Sequence, residues 1–181
     1  DLWVITGSRH GVYEDHDWIP PLEAFIRDVR DAGGKMFGIC FGHQIIAQAL
    51  GGKVEKSEKG WGTGVHAYDL ADEWPEKLGR PLPEGLAIQA FHQDQVIDKP
   101  EDASTLASSG FCEHAALWYP NFAVTVQGHP EYTPDFARDL IEARKELVLV
   151  GRDPEIAYEE TRAPTSREAL ALWLRDTLDN I

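Results

Sequence analysis

The stretch KMFGICFGHQIIAQALGG, residues 35–52, predicts the architecture from which the rest of the chain can be interpreted. Lys35–Ile39 is strand-like, and the apolar residues after Cys40 recur at helical spacing until Gly51-Gly52 ends the pattern. The strand turns directly into the helix at Gly38-Ile39-Cys40-Phe41-Gly42, with a small residue two positions before and after the cysteine. This pattern is typical of a nucleophile elbow in which Cys replaces Ser.

An elbow of this kind would expose Cys40 at the edge of a sheet, because the small flanking residues allow a tight, strained turn. The N-terminus of the following helix and a nearby imidazole would both favour the reactive thiolate. Two other interpretations stay open. Cys40 is a small buried hydrophobic residue, or Cys40 and His43 form a zinc site with C-x-x-H spacing. Only Cys112 remains as a further cysteine, so we expect no metal.

A candidate base follows a strand-like segment at residues 123–127. Gly128-His129-Pro130-Glu131 places a histidine and a carboxylate on one rigid turn. His129 would deprotonate Cys40, and Glu131 would hold the imidazole tautomer and stabilise its charged form. The alternative is an ordinary exposed turn histidine with a glutamate close to a helix.

Together the two motifs resemble the class I, triad-type glutamine amidotransferases. His129 follows Cys40 by 89 residues, a separation that suits this family. The resemblance spans about residues 2–143 and includes Phe91-His92-Gln93-Asp94-Gln95-Val96, together with Lys59-Gly60-Trp61, which is typical of stand-alone members. The chain resembles both the glutaminase domains of GMP synthases and the plant γ-glutamyl peptidases of this family. The resemblance implies a flavodoxin-like fold and a triad of Cys40, His129 and Glu131.

The same resemblance assigns the remaining site residues. The backbone N–H groups of Ser8 and Phe41 would form the oxyanion hole, although residues 7–11 read Gly-Ser-Arg-His-Gly where many synthetase-linked members have Gly-Gly-Pro. Substrate binding is assigned to five residues: Gly7, Gln44, Phe91, Gln93 and Asp94. Alternatively, Gln44 solvates a helix and Asp94 closes an Asx turn.

The rest of the chain predicts an α/β fold: a three-layer, mostly parallel sheet flanked by helices, with an antiparallel extension. A strand at residues 2–6 precedes a helix that Asp17 would cap. Later helices begin at Thr133, with an apolar face, and at Thr165, with Glu168 completing a capping box. Their predicted core residues are Phe136, Leu140, Ile141, Leu147, Val148, Leu170, Trp173, Leu174 and Leu178. The middle predicts short strands at residues 53–56, 65–70, 86–91, 105–109, 115–118 and 123–127, with a Pro-rich loop through Trp74, Pro75, Pro81 and Pro83.

Length and composition set further limits. The 181 residues suit one domain, residues 1–181, and family members usually carry a strand-helix-strand segment before the position of Leu2, so we expect this segment to be missing. The net charge of −14 opposes binding to nucleic acid or to anionic membranes. Two cysteines and the lack of a targeting or membrane-spanning segment predict a cytoplasmic protein.

The sequence is compatible with three functions. The first is hydrolysis of the glutamine side-chain amide through a γ-glutamyl thioester, without a cofactor and with a separate synthase subunit to use the ammonia. No nucleotide-binding motif occurs in the chain itself. The second is a γ-glutamyl peptidase acting on γ-glutamyl peptides or amines. The third is a non-catalytic regulatory subunit. The DJ-1 and PfpI proteins have a similar cysteine elbow but a different placement of the histidine, and His129-Pro130-Glu131 distinguishes this chain from them.

Several chemically capable residues belong to no functional motif of the sequence. His10, His16, His66 and His114 have no partners at ligand spacing, and we interpret them as surface or structural residues. Trp61 and Tyr132 would line the pocket or pack in the core. Cys112 belongs to no motif.

Overall fold

A computed structural model describes residues 2–82 and 85–177. Its described part contains nine strands: β1 Leu2–Ile5, β2 Lys35–Ile39, β3 Lys53–Lys56, β4 Gly62–Leu70, β5 Leu86–His92, β6 Asp94–Asp98, β7 Ser104–Ser108, β8 Ala116–Tyr119 and β9 Ala123–Val126. It also contains five α-helices: α1 Ile19–Asp31, α2 Phe41–Ala49, α3 Pro134–Val148, α4 Pro154–Glu160 and α5 Arg167–Thr177. A 3₁₀ turn, Glu76–Leu78, lies in the described part of the Pro-rich loop.

Seven of these strands form one sheet in the order β1-β2-β9-β8-β7-β4-β5, and β3 pairs with β6 in a separate two-stranded sheet. The predicted α/β class with an antiparallel extension is confirmed. The sheet has fewer parallel strand pairs than the expected mostly parallel sheet. Strands β1, β2 and β9 pair in parallel, and the other described pairs are antiparallel. Short connections join β7, β8 and β9, and such connections require antiparallel neighbours.

The sheet has a hydrophobic core on each face, which gives the expected three layers. Phe37 and Ile39 of β2 face a core that includes Leu170 of α5. Met36, between them in sequence, faces a second core with Ile26 of α1 and Ile45 of α2. This alternation buries both faces of β2, as expected for a central parallel strand.

The parallel strands β2 and β9 are neighbours, and this places the candidate site. Their register pairs Ile39 with Val126, so both strands end at the same level of the sheet. The N–H of Cys40 continues the pairing by donating to the carbonyl of Val126 over 2.9 Å. The segment that follows β9, including His129, therefore leaves the sheet beside the elbow.

The structure corrects several local predictions. Trp18, not Asp17, occupies the N-cap of α1, without a side-chain cap. The last helix begins at Arg167, not at Thr165. The residue before it, Ser166, pairs with Ala87 of β5: its hydroxyl accepts from the Ala87 N–H and donates to the Ala87 carbonyl.

The predicted apolar faces are only partly buried. Thr133 caps α3 as expected, but Phe136 and Leu147 are exposed. Leu147 lines the cleft and Phe136 packs edge-on against Tyr132, so neither belongs to the core. Leu170 is buried and Trp173 and Leu174 are partly buried against the same core. The predictions for Leu178 and Pro83 lie outside the described residues. Helix α4 and strand β6 were not predicted. Among the described residues, no helix has the length and hydrophobicity to cross a membrane.

Candidate active site

The elbow has the backbone conformation that its sequence predicts. Cys40 has φ +52° and ψ −103°, a conformation that non-glycine residues rarely adopt. The helix that follows lies so close to β1 that a Cβ at Gly42 would be 2.0 Å from the Ile5 carbonyl oxygen. A Cβ at Gly38 would lie 2.8 Å from the Gly42 backbone. Both small residues are therefore required by the tight strand-to-helix turn.

Cys40 lies at the N-terminus of α2 and at the floor of a cleft of about 490 Å³. The residue is only 7% exposed and lines the cleft, so a substrate in the cleft can reach the sulfur. The alternative zinc pairing with His43 is not supported by the geometry. The His43 ring is fully buried, and its Nδ1 lies 2.7 Å from Thr125 Oγ1. Burial lowers the pKa of His43 to about 3, so the ring stays neutral.

His129 is held in place by its backbone and by Glu131. Its N–H donates to the Gln89 carbonyl of β5 over 2.7 Å, and its Nδ1 lies 2.7 Å from Glu131 Oε1. The ring is buried, whereas Glu131 is partly exposed. A Cβ at Gly7 would approach His129 Cε1 to 2.8 Å and Cys40 Cβ to 3.7 Å. The elbow, the histidine and the loop after β1 therefore meet at one point.

The protonation of His129 reflects its two neighbours. Burial of the ring opposes the charged form, but hydrogen bonding to Cys40 and Glu131, together with their charges, outweighs burial and raises the pKa of His129 to about 9. A raised histidine pKa beside a cysteine favours the pair of imidazolium and thiolate, which is the reactive form of such a pair.

Most of the site residues predicted from the sequence line the cleft. Its lining includes Gly7, Ser8, Cys40, Gln44, Phe91, Gln93, Asp94 and His129. Phe41 is the first residue of α2, so its N–H has no acceptor within the helix. Glu131 lies outside the lining and reaches the site through its contact with His129.

Gln44 is more constrained than its predicted role suggests. Its side chain is buried, and the amide nitrogen donates to the Asp94 carbonyl over 2.9 Å and to Gln127 Oε1 over 3.1 Å. The Nδ1–H of His92 donates to the same Asp94 carbonyl over 3.2 Å. These bonds fix the turn between β5 and β6, which carries Gln93 and Asp94 into the cleft.

Several cleft residues were missed or left undecided by sequence analysis. Trp61 and Tyr132, for which packing and pocket positions were both open, line the cleft. The missed residues come from the loop after β1, from β3 and from α3: Arg9, His10, Gly11, Tyr13, Glu14, Lys56, Leu140, Arg144 and Leu147. Leu140 and Leu147 were predicted as core residues of α3, and Arg144 shares their helical spacing. Only the docking of α3 makes that side part of the cleft lining.

Comparisons with known proteins agree with this geometry. Residues 10–145 match the family described as glutamine amidotransferase class-I. The chain is 37% identical over 166 residues to γ-glutamyl peptidase 4 of Arabidopsis thaliana, covering 90% of this chain and 64% of that protein. It is 30% identical over 141 residues to a glutamine-hydrolysing GMP synthase of Macrococcus caseolyticus, covering 76% of this chain and 26% of that enzyme.

A solved glutamine amidotransferase of Thermotoga maritima has the same fold. It superposes with a TM-score of 0.76 at 26% identity, over 97% of this chain and 76% of that structure. The chain thus spans less than two thirds of the plant peptidase and about three quarters of the bacterial structure. On the family match and these similarities, the chain belongs to the class-I glutamine amidotransferase family.

Proposed function

We propose that the chain hydrolyses γ-glutamyl amide bonds through a γ-glutamyl thioester on Cys40. One observation carries the proposal: the strained elbow of Cys40 and the His129–Glu131 pair end adjacent parallel strands and meet at the floor of one cleft. A nucleophile, a base and a group that orients the base are the elements of a catalytic triad.

The chemistry divides into two halves. The Cys40 proton passes to His129 Nε2, the sulfur attacks the γ-carbonyl carbon, and the C–N bond breaks as His129 returns the proton to the leaving amine. Water then loses a proton to His129 and attacks the thioester carbon. The C–S bond breaks, Cys40 regains a proton, and the γ-carboxylic acid is released. Glu131 accepts the Nδ1–H of His129 over 2.7 Å, which keeps Nε2 available for Cys40.

The oxyanion formed in each half requires preorganised donors. The N–H of Phe41 stands at the start of α2, where the partial positive charge of the helix adds to its donor strength. Ser8, in the loop that contacts both Cys40 and His129 through Gly7, is the proposed second donor. Loss of one such donor typically costs about 10²- to 10³-fold in rate.

The amino-acid end of the substrate is assigned to a second group of cleft residues. We propose that Gly7, Gln44, Phe91, Gln93 and Asp94 hold it. The Gln44 amide nitrogen is committed to Asp94 and Gln127, so its carboxamide oxygen is the atom offered to a substrate ammonium group.

The leaving group distinguishes the two candidate reactions. Glutamine releases ammonia, which would require a separate synthase subunit, whereas a γ-glutamyl peptide releases an amino acid or peptide. The cleft favours the peptide, because its lining includes two cationic side chains, Lys56 and Arg144. Among the described residues, neither cationic side chain has an ion-pair or hydrogen-bond partner, so both are available to a carboxylate. The similarity to a plant γ-glutamyl peptidase supports the same choice.

The test compares steady-state hydrolysis of glutamine and of γ-glutamyl dipeptides by the purified protein. We expect a higher kcat/KM for the dipeptides, loss of activity in Cys40→Ala, and full activity in Cys112→Ala. Cys112 is the matched control because it is buried, and burial raises the pKa of its thiol to about 12.

Each other outcome selects a different function. A preference for glutamine would support the amidotransferase and direct the search to a synthase partner. Hydrolysis that survives in Cys40→Ala would disprove the thioester mechanism. A folded protein that is inactive on both substrates would support the non-catalytic alternative.

A further inference from the structure

The loop between β1 and α1 brings two histidines and a glutamate together beside the cleft, and His10 and Glu14 belong to its lining. His10 Nδ1 lies 3.1 Å from Glu14 Oε2, and His16 Nε2 lies 2.8 Å from the same oxygen. The two ring nitrogens are 3.0 Å apart. Ligand atoms around a tetrahedral zinc ion with bonds of about 2.0–2.1 Å are separated by roughly 3.3 Å. The three atoms therefore approximate one face of a zinc coordination shell.

Hydrogen bonding alone leaves one of the three contacts unfavourable. Arg9 Nε donates to His10 Nε2 over 3.3 Å, which leaves the proton of a neutral ring on Nδ1, pointing to Glu14. If His16 Nε2 also carries a proton, two N–H donors face each other. If His16 Nε2 carries no proton, this nitrogen and Glu14 Oε2 are both acceptors, and they face each other. A cation between the three atoms removes this conflict, because each then offers a lone pair.

The surrounding contacts hold the loop in this arrangement. Gly11 N–H donates to Glu14 Oε1 over 2.8 Å, which leaves Oε2 for the cluster. Gln48 Nε2 donates to the Val12 carbonyl over 2.8 Å, and the Tyr13 hydroxyl donates to Asp94 Oδ1 over 3.0 Å. Outer contacts that fix a ligand's orientation are a regular feature of metal sites.

The cluster is also accessible from solvent. The side chains of His10, Glu14 and His16 are 31%, 42% and 32% exposed, so an ion can reach them. The competing contact from Arg9 is long and comes from an exposed side chain, so it is easily released. Coordination through His10 Nδ1 places the ring proton on Nε2, where Arg9 no longer has an acceptor.

We propose that His10, Glu14 and His16 bind one divalent transition-metal ion of the zinc class. Two imidazoles and one carboxylate form a donor set that zinc accepts, with one coordination position left open. His10 and Glu14 line the cleft, so the proposed ion would lie beside the space that a substrate enters. The proposal is independent of the reaction proposed above, because none of the three residues is assigned to it.

The test is zinc binding by the metal-stripped protein, measured by equilibrium dialysis and by the shift of the melting temperature. We expect the wild-type protein to bind one zinc ion per chain. The zinc affinity of His10→Gln and of His16→Gln should be lower by about tenfold or more. His66→Gln, a histidine outside the cluster and the cleft lining, is the matched control and should bind normally. Zinc should raise the melting temperature of the wild-type protein and not that of His16→Gln.

A second control addresses the other soft donors in the cleft. Cys40→Ala should retain the ion, because the proposed ligands exclude the Cys40 and His129 pair. Loss of binding in Cys40→Ala would assign the ion to that pair and overturn the proposal. Unchanged affinity in His10→Gln and His16→Gln, or no zinc binding by the wild-type protein, would overturn it as well.

Discussion

The imidazole of His129 lies flat against the phenol ring of Tyr132, with ring centroids 4.0 Å apart and planes that differ by 8°. Phe136, in the first turn of α3, contacts Tyr132 edge-on at 4.6 Å. Glu131 therefore holds the histidine by its edge, and Tyr132 holds it by its face. The turn that supplies the proposed base is fixed from two directions before a substrate binds.

We expect Tyr132→Ala to lower kcat by about tenfold or more, because a misplaced base loses proton-transfer geometry. Tyr132→Phe keeps the stacked ring and should retain activity within about twofold of the wild-type protein. The measurement is kcat and KM of both variants on the preferred γ-glutamyl substrate. Equal losses in the two variants would show that the hydroxyl, and not the stacking, is the important feature.

Glu131→Gln should reduce kcat by about 10²-fold or more. The amide can donate to Nδ1 and so stabilise the wrong imidazole tautomer, and it removes a negative charge that supports the imidazolium form. Glu159→Gln is the control and should be fully active, because Glu159 is a surface carboxylate of α4 that pairs with Arg162. Activity of Glu131→Gln near the wild-type level would remove Glu131 from the proposed triad.

The stability of the protein should decrease as the pH rises from about 6.5 to 9. The pKa of His129 is raised above its usual value in the folded state, so protonation favours folding below pH 6.5, and this contribution is lost as the pH passes through 9. One proton accounts for at most about 1.4 kcal/mol of unfolding free energy per pH unit. Urea unfolding across this range checks the prediction, and His129→Gln should flatten the dependence.

Gly42→Ala should destabilise the fold as well as the active site. The added Cβ would lie 2.0 Å from the Ile5 carbonyl oxygen, and backbone on both sides prevents relief by a side-chain movement. We expect a melting temperature lower by roughly 5–10 °C, corresponding to about 2–3 kcal/mol of overpacking. Gly110→Ala is the matched control, because a Cβ there meets no atom within 4 Å. Equal melting temperatures for the two variants would contradict the close approach of α2 and β1.

Arg144→Ala should raise KM for γ-glutamyl dipeptides by about tenfold and leave KM for glutamine unchanged. Only the dipeptide carries a carboxylate on its leaving group, and a charge-assisted hydrogen bond to it contributes about 1.5–3 kcal/mol. Arg138→Ala on the same helix, whose guanidinium lies over Tyr158, is the control. A parallel rise in KM for both substrates would place the effect of Arg144 at the shared glutamyl end.

Local patterns already determined the central parts of this protein. The small residues around Cys40 predicted the strained turn, because such a turn depends on the residues that form it. The contact between His129 and Glu131 followed from their separation by one proline. The α/β class, most of the strands and the beginning of α3 at Thr133 also followed from periodicity and capping.

For other elements, the sequence has no hydrophobic or capping pattern that predicts them. Strand β6, with the sequence Asp-Gln-Val-Ile-Asp, has acidic ends that are atypical of strands, and it forms only by pairing with β3. Helix α4 has seven residues, too short for a clear hydrophobic periodicity. The helix predicted to begin at Thr165 begins at Arg167, and Ser166 before it pairs with β5, a contact between residues 79 positions apart that no local pattern indicates.

Only the tertiary structure decided how the parts meet. The pairing of β9 with β2 brings His129 to Cys40, and the docking of α3 adds Arg144 to the cleft. The path of the loop after β1 converts His10 and His16, which have no ligand spacing in the sequence, into a cluster around Glu14. Sequence spacing determines contacts within a turn or a helix. Contacts between separate elements depend on which strands pair and which faces are buried, and those are properties of the whole fold.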